Sequence, residues 1–555
     1  MRKILRPHRA VLAVIGVMAG LVAHAQAPAW HAAVAINSPG NGSAYANAVA
    51  TDAAGSVYVA GQFNGTVSLG NFTLTSPSSA NSGFIAKWNP ATQQFSWARQ
   101  LGGVANSLAI VGSSVYVAGY FSATASFGSM TLTSAGDYDV FVAKLQDAGS
   151  SNTVAWVKQA GGVGADQPSA VAATGSAVYV AGHFTQAITF GTTLLTAGTT
   201  SNGFITKLSD GGSTAAFTWA QQVASAGPTS ASGLAVAGNA LYVVGRFEQN
   251  TTLGTSILGT TGGALAYVAK LLDAGATSSV SWAQVPTSAA TSMYASGVAV
   301  AGANVYVTGD FTGTVAFGAQ SLTTAGYRDA FVTKLADGGS TGTFVWAKAA
   351  GGTDDDLALG VATAGNSVYV AGSFSGAASF GTNALTSAGS TDIFVTRLID
   401  TGPDAAFAWA QRAGGPGSDN GSDMALSGTT PVVVGSFNAT ASFGTQTITN
   451  AALYSENAYL AVLAPDLLAT TAVGAGKASK LYPNPARGLV TVALPAGAGF
   501  GTFTLLNGLG QPVRTQAVVA GAEAAINLVG LAPGVYVLRV QADAAVVATQ
   551  KLVVE

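Results

Sequence analysis

Histidine is the side chain best suited to moving protons near neutral pH. This chain has four, and only His31 and His183 lie beyond residue 25. The sequence supplies no partner for either, so a Ser-His-Asp relay has no support beyond composition. His31 sits in a strand-like segment and reads as structural. Cysteine is absent, which removes disulfides, thiolate nucleophiles and thiolate metal sites. The run Asp354-Asp355-Asp356 offers oxygen ligands that calcium accepts, yet no EF-hand-like spacing surrounds it. Asp166 and Asp419 fall in equivalent turns, and all are expected to be solvated. Hydrolysis of a glycosidic bond would need two acids facing each other in one pocket. The segments expected to line a channel, AVAT (48–51), VAAT (171–174) and LAVA (234–237), are small and apolar. No catalytic residue, metal or cofactor is expected.

Two recurring positions carry more information. Lys87, Lys144, Lys207, Lys270, Lys334 and Arg397 occupy one place in successive repeats. A ring of cations could bind anions, but a long stem lying on apolar surface with its head in water is the simpler expectation. The second position lies between a recurring VYVAG pentapeptide and a phenylalanine. It holds Gln62, Tyr120, His183, Arg246, Asp310, Ser373 and Ser436, while its flanks barely change. Varied side chains on one face of a rigid scaffold are how binding surfaces are commonly built. Gln62, Tyr120, His183, Arg246 and Asp310 are therefore the binding candidates.

The elements that must position them repeat. VYVAG (57–61) returns at 115–119 and 178–182, as LYVVG at 241–245, VYVTG at 305–309, VYVAG at 368–372 and PVVVG at 431–435. In each unit an apolar segment precedes the pentapeptide, and a longer connection with a Phe-Gly pair follows it, as in ASFG (125–128). A third strand, such as FVAK (141–144), and a fourth carrying Trp97, Trp156, Trp219, Trp282, Trp346 or Trp409 complete the unit. Four strands apolar on both faces describe a sheet packed between two neighbours, the blade of a β-propeller. The last unit lacks its Trp strand, and Ala29-Trp30-His31-Ala32-Ala33 precedes the first unit. The N-terminal segment is expected to complete the last blade beside AYLAVL (458–463) and so cover an open edge.

Charge and the N-terminus set the compartment. Only 8% of residues are charged, and the net charge is −2. Arg2, Lys3, Arg6 and Arg9 precede the apolar run 11–23, and Ala23-His24-Ala25 offers a cleavage site, the tripartite pattern of a signal peptide over 1–25. Its removal takes four of the 22 basic residues and none of the 24 acidic ones, leaving −6. An acidic chain without a Lys/Arg run is a poor partner for nucleic acid. The apolar run is too short to span a membrane, and no later segment qualifies.

The motifs GG-x-x-x-D, VYVAG and Phe-Val-x-Lys-Leu together resemble the bacterial seven-bladed β-propeller repeat family over residues 29–463. Only Asp166, Asp356 and Asp419 fill the Asp slot. The resemblance implies an all-β, seven-bladed propeller over 26–463 in an exported protein, and carries no activity with it.

After a linker at 464–480, short alternating strands over 481–555 read as a small β-sandwich. Tyr482-Pro483-Asn484-Pro485, Leu531-Ala532-Pro533-Gly534-Val535-Tyr536 and the terminal Lys551-Leu552-Val553-Val554 resemble the type A sorting domain of type IX secretion substrates. That resemblance implies recognition by the type IX outer-membrane machinery, with release or tethering at the surface. The expectation is an exported, secreted or surface-displayed protein with a non-catalytic binding, adhesion or structural role toward a polysaccharide or protein. A carbohydrate-active hydrolase or lyase on the same scaffold is the alternative.

Overall fold

The structure is a computed structural model. It describes residues 27–39, 42–77, 81–259, 263–288, 292–450, 455–465, 480–493, 501–507, 511–518, 523–542 and 545–555. The expected signal peptide, and the expected linker apart from 464–465 and 480, lie outside the described residues. Those residues are all-β and antiparallel in every sheet. No helix among them is long and apolar enough to cross a membrane.

Among the described residues, seven sheets built on four paired strands follow one another along the chain, and a following hairpin extends the third and the fifth to six strands. The third is representative. Asp166–Thr174, Ala177–Phe184, Asn202–Asp210 and Ala215–Ser225 pair in sequence order. The second strand, Ala177–Phe184, and the third are buried on both faces over most of their length, because neighbouring sheets cover each side. Valine, tyrosine and phenylalanine suit such doubly covered strands. The seventh sheet is completed from the other end of the chain. Trp30–Ile36 pairs with Asn457–Leu463, with Trp30 opposite Leu463 and Ile36 opposite Ala458.

The seventh and first sheets also meet directly. The Val49 amide donates to Asp423 Oδ2 at 3.0 Å, and Thr51 Oγ1 donates to the Leu426 carbonyl at 2.7 Å. The Ala44 amide donates to the Glu456 carbonyl at 2.8 Å.

The Phe-Gly connections are more ordered than an irregular loop. Each is a two-stranded hairpin, such as Thr124–Phe127 with Met130–Thr133, and Gly128 takes the left-handed turn at φ 66°. Phe127 is fully buried and packs 4.6 Å from the Phe141 ring. Some hairpins extend the previous sheet: Thr251–Leu253 pairs with Ala215–Ser225.

The C-terminal region has its own core of Val490, Val492, Phe503, Leu505, Ile526, Leu538 and Leu552. A three-stranded sheet (Lys480–Tyr482, Leu489–Ala493, Glu523–Asn527) accompanies a four-stranded one (Pro512–Val518, Gly501–Leu506, Gly534–Ala542, Ala545–Val554).

Candidate functional site

Side chains alternate along a strand, so the phenylalanine ending each second strand points inward and the residue before it points elsewhere. In three repeats that preceding residue meets the residue just before the third strand. Asn81 Nδ2 donates to Gln62 Oε1 at 3.3 Å. The Tyr120 ring meets Tyr138 edge-on, with centroids 5.1 Å apart and planes at 76°. Asp310 Oδ2 lies 3.8 Å from Arg328 Nη1. Arg328 also grips Asp355 with two prongs, Nε to Oδ1 at 2.9 Å and Nη2 to Oδ2 at 3.1 Å.

Three candidates belong to one run of polar groups. Arg246 lies 5.0 Å from the centre of the Tyr294 ring and donates to its hydroxyl at 3.1 Å. Tyr294 stands opposite Asp310 in the ladder. Burial, and then the charge of Arg246, lower the pKa of His183. Burial pushes Asp310 up to about 6 against the pull of Arg328, and Asp355 adds to the rise. Gln62 and Tyr120 lie outside this run, each with its own partner. Asp310, Ser373 and Ser436 are buried at 3–5% exposure, so at the end of the series the position is not a surface one. Ser373 shows the cause: its Oγ accepts the Gly421 amide of the next sheet at 3.1 Å. His31, by contrast, has its side chain exposed on the strand Trp30–Ile36.

The aspartates expected in solvated turns are instead completely buried: Asp166, Asp356 and Asp419 have no exposure. Each starts or immediately precedes the first strand of its sheet. Its amide donates to the carbonyl of Tyr138, Arg328 or Thr391 on the sheet before. The residues following those three, Asp139, Asp329 and Asp392, are also buried. Carboxylates thus meet in pairs at three junctions. A β-carbon on Gly351 would lie 2.8 Å from Asp329 Oδ1 and 2.8 Å from Asp356 Oδ2, so the glycine leaves room for both. Two like charges cannot both persist in such a place. Burial first, then Asp139, raises Asp166 to about 8. Burial, with Asp329 adding, raises Asp356 to about 7, and burial, with Asp392 adding, raises Asp419 to about 6. Asp354 and Asp355 remain at the surface.

The recurring cations also differ from expectation. Their heads are not in water. Lys144, Lys207, Lys270 and Lys334 are buried, and each Nζ lies 2.6–2.7 Å from an aspartate of the next sheet: Asp210, Asp273, Asp337 or Asp400. Tyrosine, lysine and tryptophan stand in one lateral row, as in Tyr179–Lys207–Trp219. A bulge follows each lysine on the fourth-strand side. All three donate to the same carboxylate. Asp273 takes the Tyr179 hydroxyl at 2.8 Å, Lys207 at 2.6 Å and Trp219 Nε1 at 3.0 Å. The Gly275 amide adds a fourth donor at 3.1 Å. Lys87 makes the same contact with Asp147. Burial pushes these carboxyls up, but their donors win and hold them low, Asp337 at about 2. Arg397 is buried as well, and its Nε donates to Ser367 Oγ at 3.0 Å. The five lysines are joints between sheets. The signal was present in sequence as Lys-x-x-Asp, although each lysine bonds the aspartate of the following repeat and not its own.

In the C-terminal region the motif residues of the entry segment and the last strand come together. Asn484 Nδ2 donates to the Lys551 carbonyl at 2.6 Å, and its Oδ1 accepts the Val553 amide at 2.9 Å. The peptides before Pro483 and Pro485 are cis. Gly534 begins the long strand, and the Tyr536 hydroxyl donates to the Ala532 carbonyl at 2.8 Å. Tyr482 is part-exposed at the edge of the smaller sheet.

Comparison with known proteins identifies this region. Residues 480–555 match the family model of the secretion system C-terminal sorting domain. The chain is accordingly a substrate of the type IX secretion machinery, carried across the outer membrane to the cell surface or the extracellular space. No curated protein matches the chain. Among solved structures, it is similar to the haemagglutinin-neuraminidase of parainfluenza virus 5 with the ligand DANA. The identity is 7% and the TM-score 0.31, over 68% of this chain and 91% of that one. An overlap that loose bears on neither fold nor activity.

Proposed function

We propose that the seven sheets are the blades of one closed propeller, sealed by Trp30–Ile36, and that it acts outside the cell as a non-catalytic binding or adhesion module. The observation that carries this reading is the pairing at the rim. Gln62–Asn81, Tyr120–Tyr138 and Asp310–Arg328 occupy one structural position on three blades, and in the last pair Arg328 is the more exposed member over a buried Asp310. Their chemistry changes from amide to aromatic to ionic while the surrounding frame stays the same. A fold needs no such variety; a surface that contacts something irregular does.

The alternative, a glycoside hydrolase or lyase, would be favoured by a pocket pairing two carboxylates or by His183 beside a carboxylate. Among the described residues, the aspartate pairs at the sheet junctions are buried and line no open pocket. His183 instead neighbours a cation, and Asp310 and Asp355 are both engaged by Arg328. The test is to probe glycan and protein arrays with the mature chain, residues 26–555, and to weigh the bound ligand afterwards. Saturable binding with the ligand intact supports the reading. Cleaved ligand, or no binding anywhere, contradicts it.

A further inference from the structure

A groove between the first and second blades has an uncharged lining that includes two tyrosines. Its volume is about 680 Å³, within the range that holds small ligands or a few residues of a chain. Tyr120 and Tyr138 stand on one side. With planes at 76° the two rings form a corner, and Tyr138 is 40% exposed. Asn81 and Gln100 stand opposite, from the first blade. Gln100 Nε2 donates to Ser82 Oγ at 3.2 Å, and Asn81 Nδ2 to Gln62 Oε1 at 3.3 Å. Each amide uses one donor in these contacts, and a primary amide carries a second donor and a carbonyl acceptor. Ser122 and Thr124 add hydroxyls along the second blade. Among the described lining residues none is charged.

The turn between the blades packs its backbone closely at the floor of the lining. A β-carbon on Gly102 would lie 2.5 Å from the Ser126 amide, and one on Gly103 would lie 2.5 Å from the Tyr120 carbonyl. The backbone passes at a distance only glycine allows. The tyrosine pair is not a requirement of the fold, since the same two positions hold Gln62 with Asn81 and Asp310 with Arg328 on other blades.

We propose that this groove binds a neutral polysaccharide chain, an inference that rests on the binding reading above. A sugar ring has an apolar face of C–H groups that packs on an aromatic ring, and an edge of hydroxyls that both donate and accept. The tyrosine corner matches the first, and the Asn81, Gln100, Ser122 and Thr124 groups match the second. An anionic glycan, a phosphate or an acidic peptide would find no cation here to offset its desolvation.

The experiment is calorimetric titration of the mature chain with a neutral glucan, a neutral mannan, a polyuronate and a proline-rich peptide. It is repeated for Tyr138→Ala and Tyr138→Phe. Tyr138 is part-exposed, so both variants should fold. Binding of a neutral polysaccharide, weakened about tenfold by Tyr138→Ala and largely kept by Tyr138→Phe, is the expected result. Three results overturn this inference and leave the binding reading standing: a preference for the polyuronate, a preference for the peptide, or equal binding by Tyr138→Ala. Cleavage of a polysaccharide by the wild-type chain would overturn both.

Discussion

Lys207 and Asp273 lie 66 residues apart and on different sheets, yet Nζ and Oδ2 are 2.6 Å apart with both side chains less than a tenth exposed. Tyr179 and Trp219 complete the shell of the same carboxylate. Five junctions repeat this arrangement, at Asp147, Asp210, Asp273, Asp337 and Asp400. A buried ion pair has to recover the cost of desolvating two charges, and does so only when further hydrogen bonds satisfy what remains. Here the carboxylate accepts four donors.

Removing one partner should therefore be costly. Asp273→Ala leaves an ammonium, an indole N–H and a phenol without an acceptor, and should destabilise the chain by about 3–5 kcal/mol. The pair Lys207→Met with Asp273→Leu should recover only part of that loss: the unpaired ammonium goes, while the Trp219 indole and the Tyr179 hydroxyl still lack their acceptor. Urea denaturation of the parent and the two variants checks both. Equal stability of Asp273→Ala and the parent would dismiss the joint.

The tryptophan of the same shell is 6% exposed and packs in the core shared with the fourth sheet. Trp219→Ala should cost about 3–5 kcal/mol through lost burial and the cavity left behind. A melting temperature that does not move would place the ring outside the core.

Stability should depend on pH in two opposite senses. Asp166, Asp356 and Asp419 keep their protons in the folded chain up to about 8, 7 and 6, whereas an unfolded aspartate loses its proton near pH 4, about 3.9. Between those values the folded state binds more protons than the unfolded one, so stability falls as pH rises. Asp337, held at about 2, acts the other way: its contribution is present above pH 4 and disappears as pH falls toward 2. Thermal melts should therefore peak near pH 4, at roughly the crossing of these two effects. They should then decline toward pH 8. Asp356→Asn should make that decline shallower, by up to about 1.4 kcal/mol per pH unit. A melting temperature that rises steadily from pH 5 to pH 8 would contradict the buried pairs.

Much of this was legible in the residues, for identifiable reasons. The spacing of Gly61, Gly119 and Gly182 marks the sheets because each glycine lies where a β-carbon would strike the backbone of the preceding strand. At Gly119 it would lie 1.9 Å from the Val104 carbonyl. The missing tryptophan strand pointed to Trp30–Ile36 beside Asn457–Leu463, which is where it pairs. The hairpins around Phe127 and its equivalents were not legible, because strands of four residues are too short to show alternation. The lysine joints were misread for a different reason. Lys144 and Asp147 sit three apart in sequence, but Lys144 bonds Asp210 and Asp147 bonds Lys87. A pattern within one repeat cannot show a bond that runs between repeats. The buried aspartate pairs were hidden likewise, each partner lying on a separate sheet.

At the C-terminal end, Asn484 joins the entry of the sandwich to its last strand through Lys551 and Val553. Removal of residues 481–555 should leave a folded chain in the periplasm, detected by fractionation and protease resistance. Export of the truncated chain at the parental level would contradict the sorting role.

The central claim is that the varied rim is where this secreted chain meets its ligand. Hydrogen–deuterium exchange of the mature chain, with and without a saturating ligand taken from the arrays, tests it most directly. The account predicts slowed exchange in the segments carrying Gln62, Tyr120, His183, Arg246 or Asp310, with the lysine joints around Asp273 unchanged. Protection confined to segments away from those five residues would contradict it.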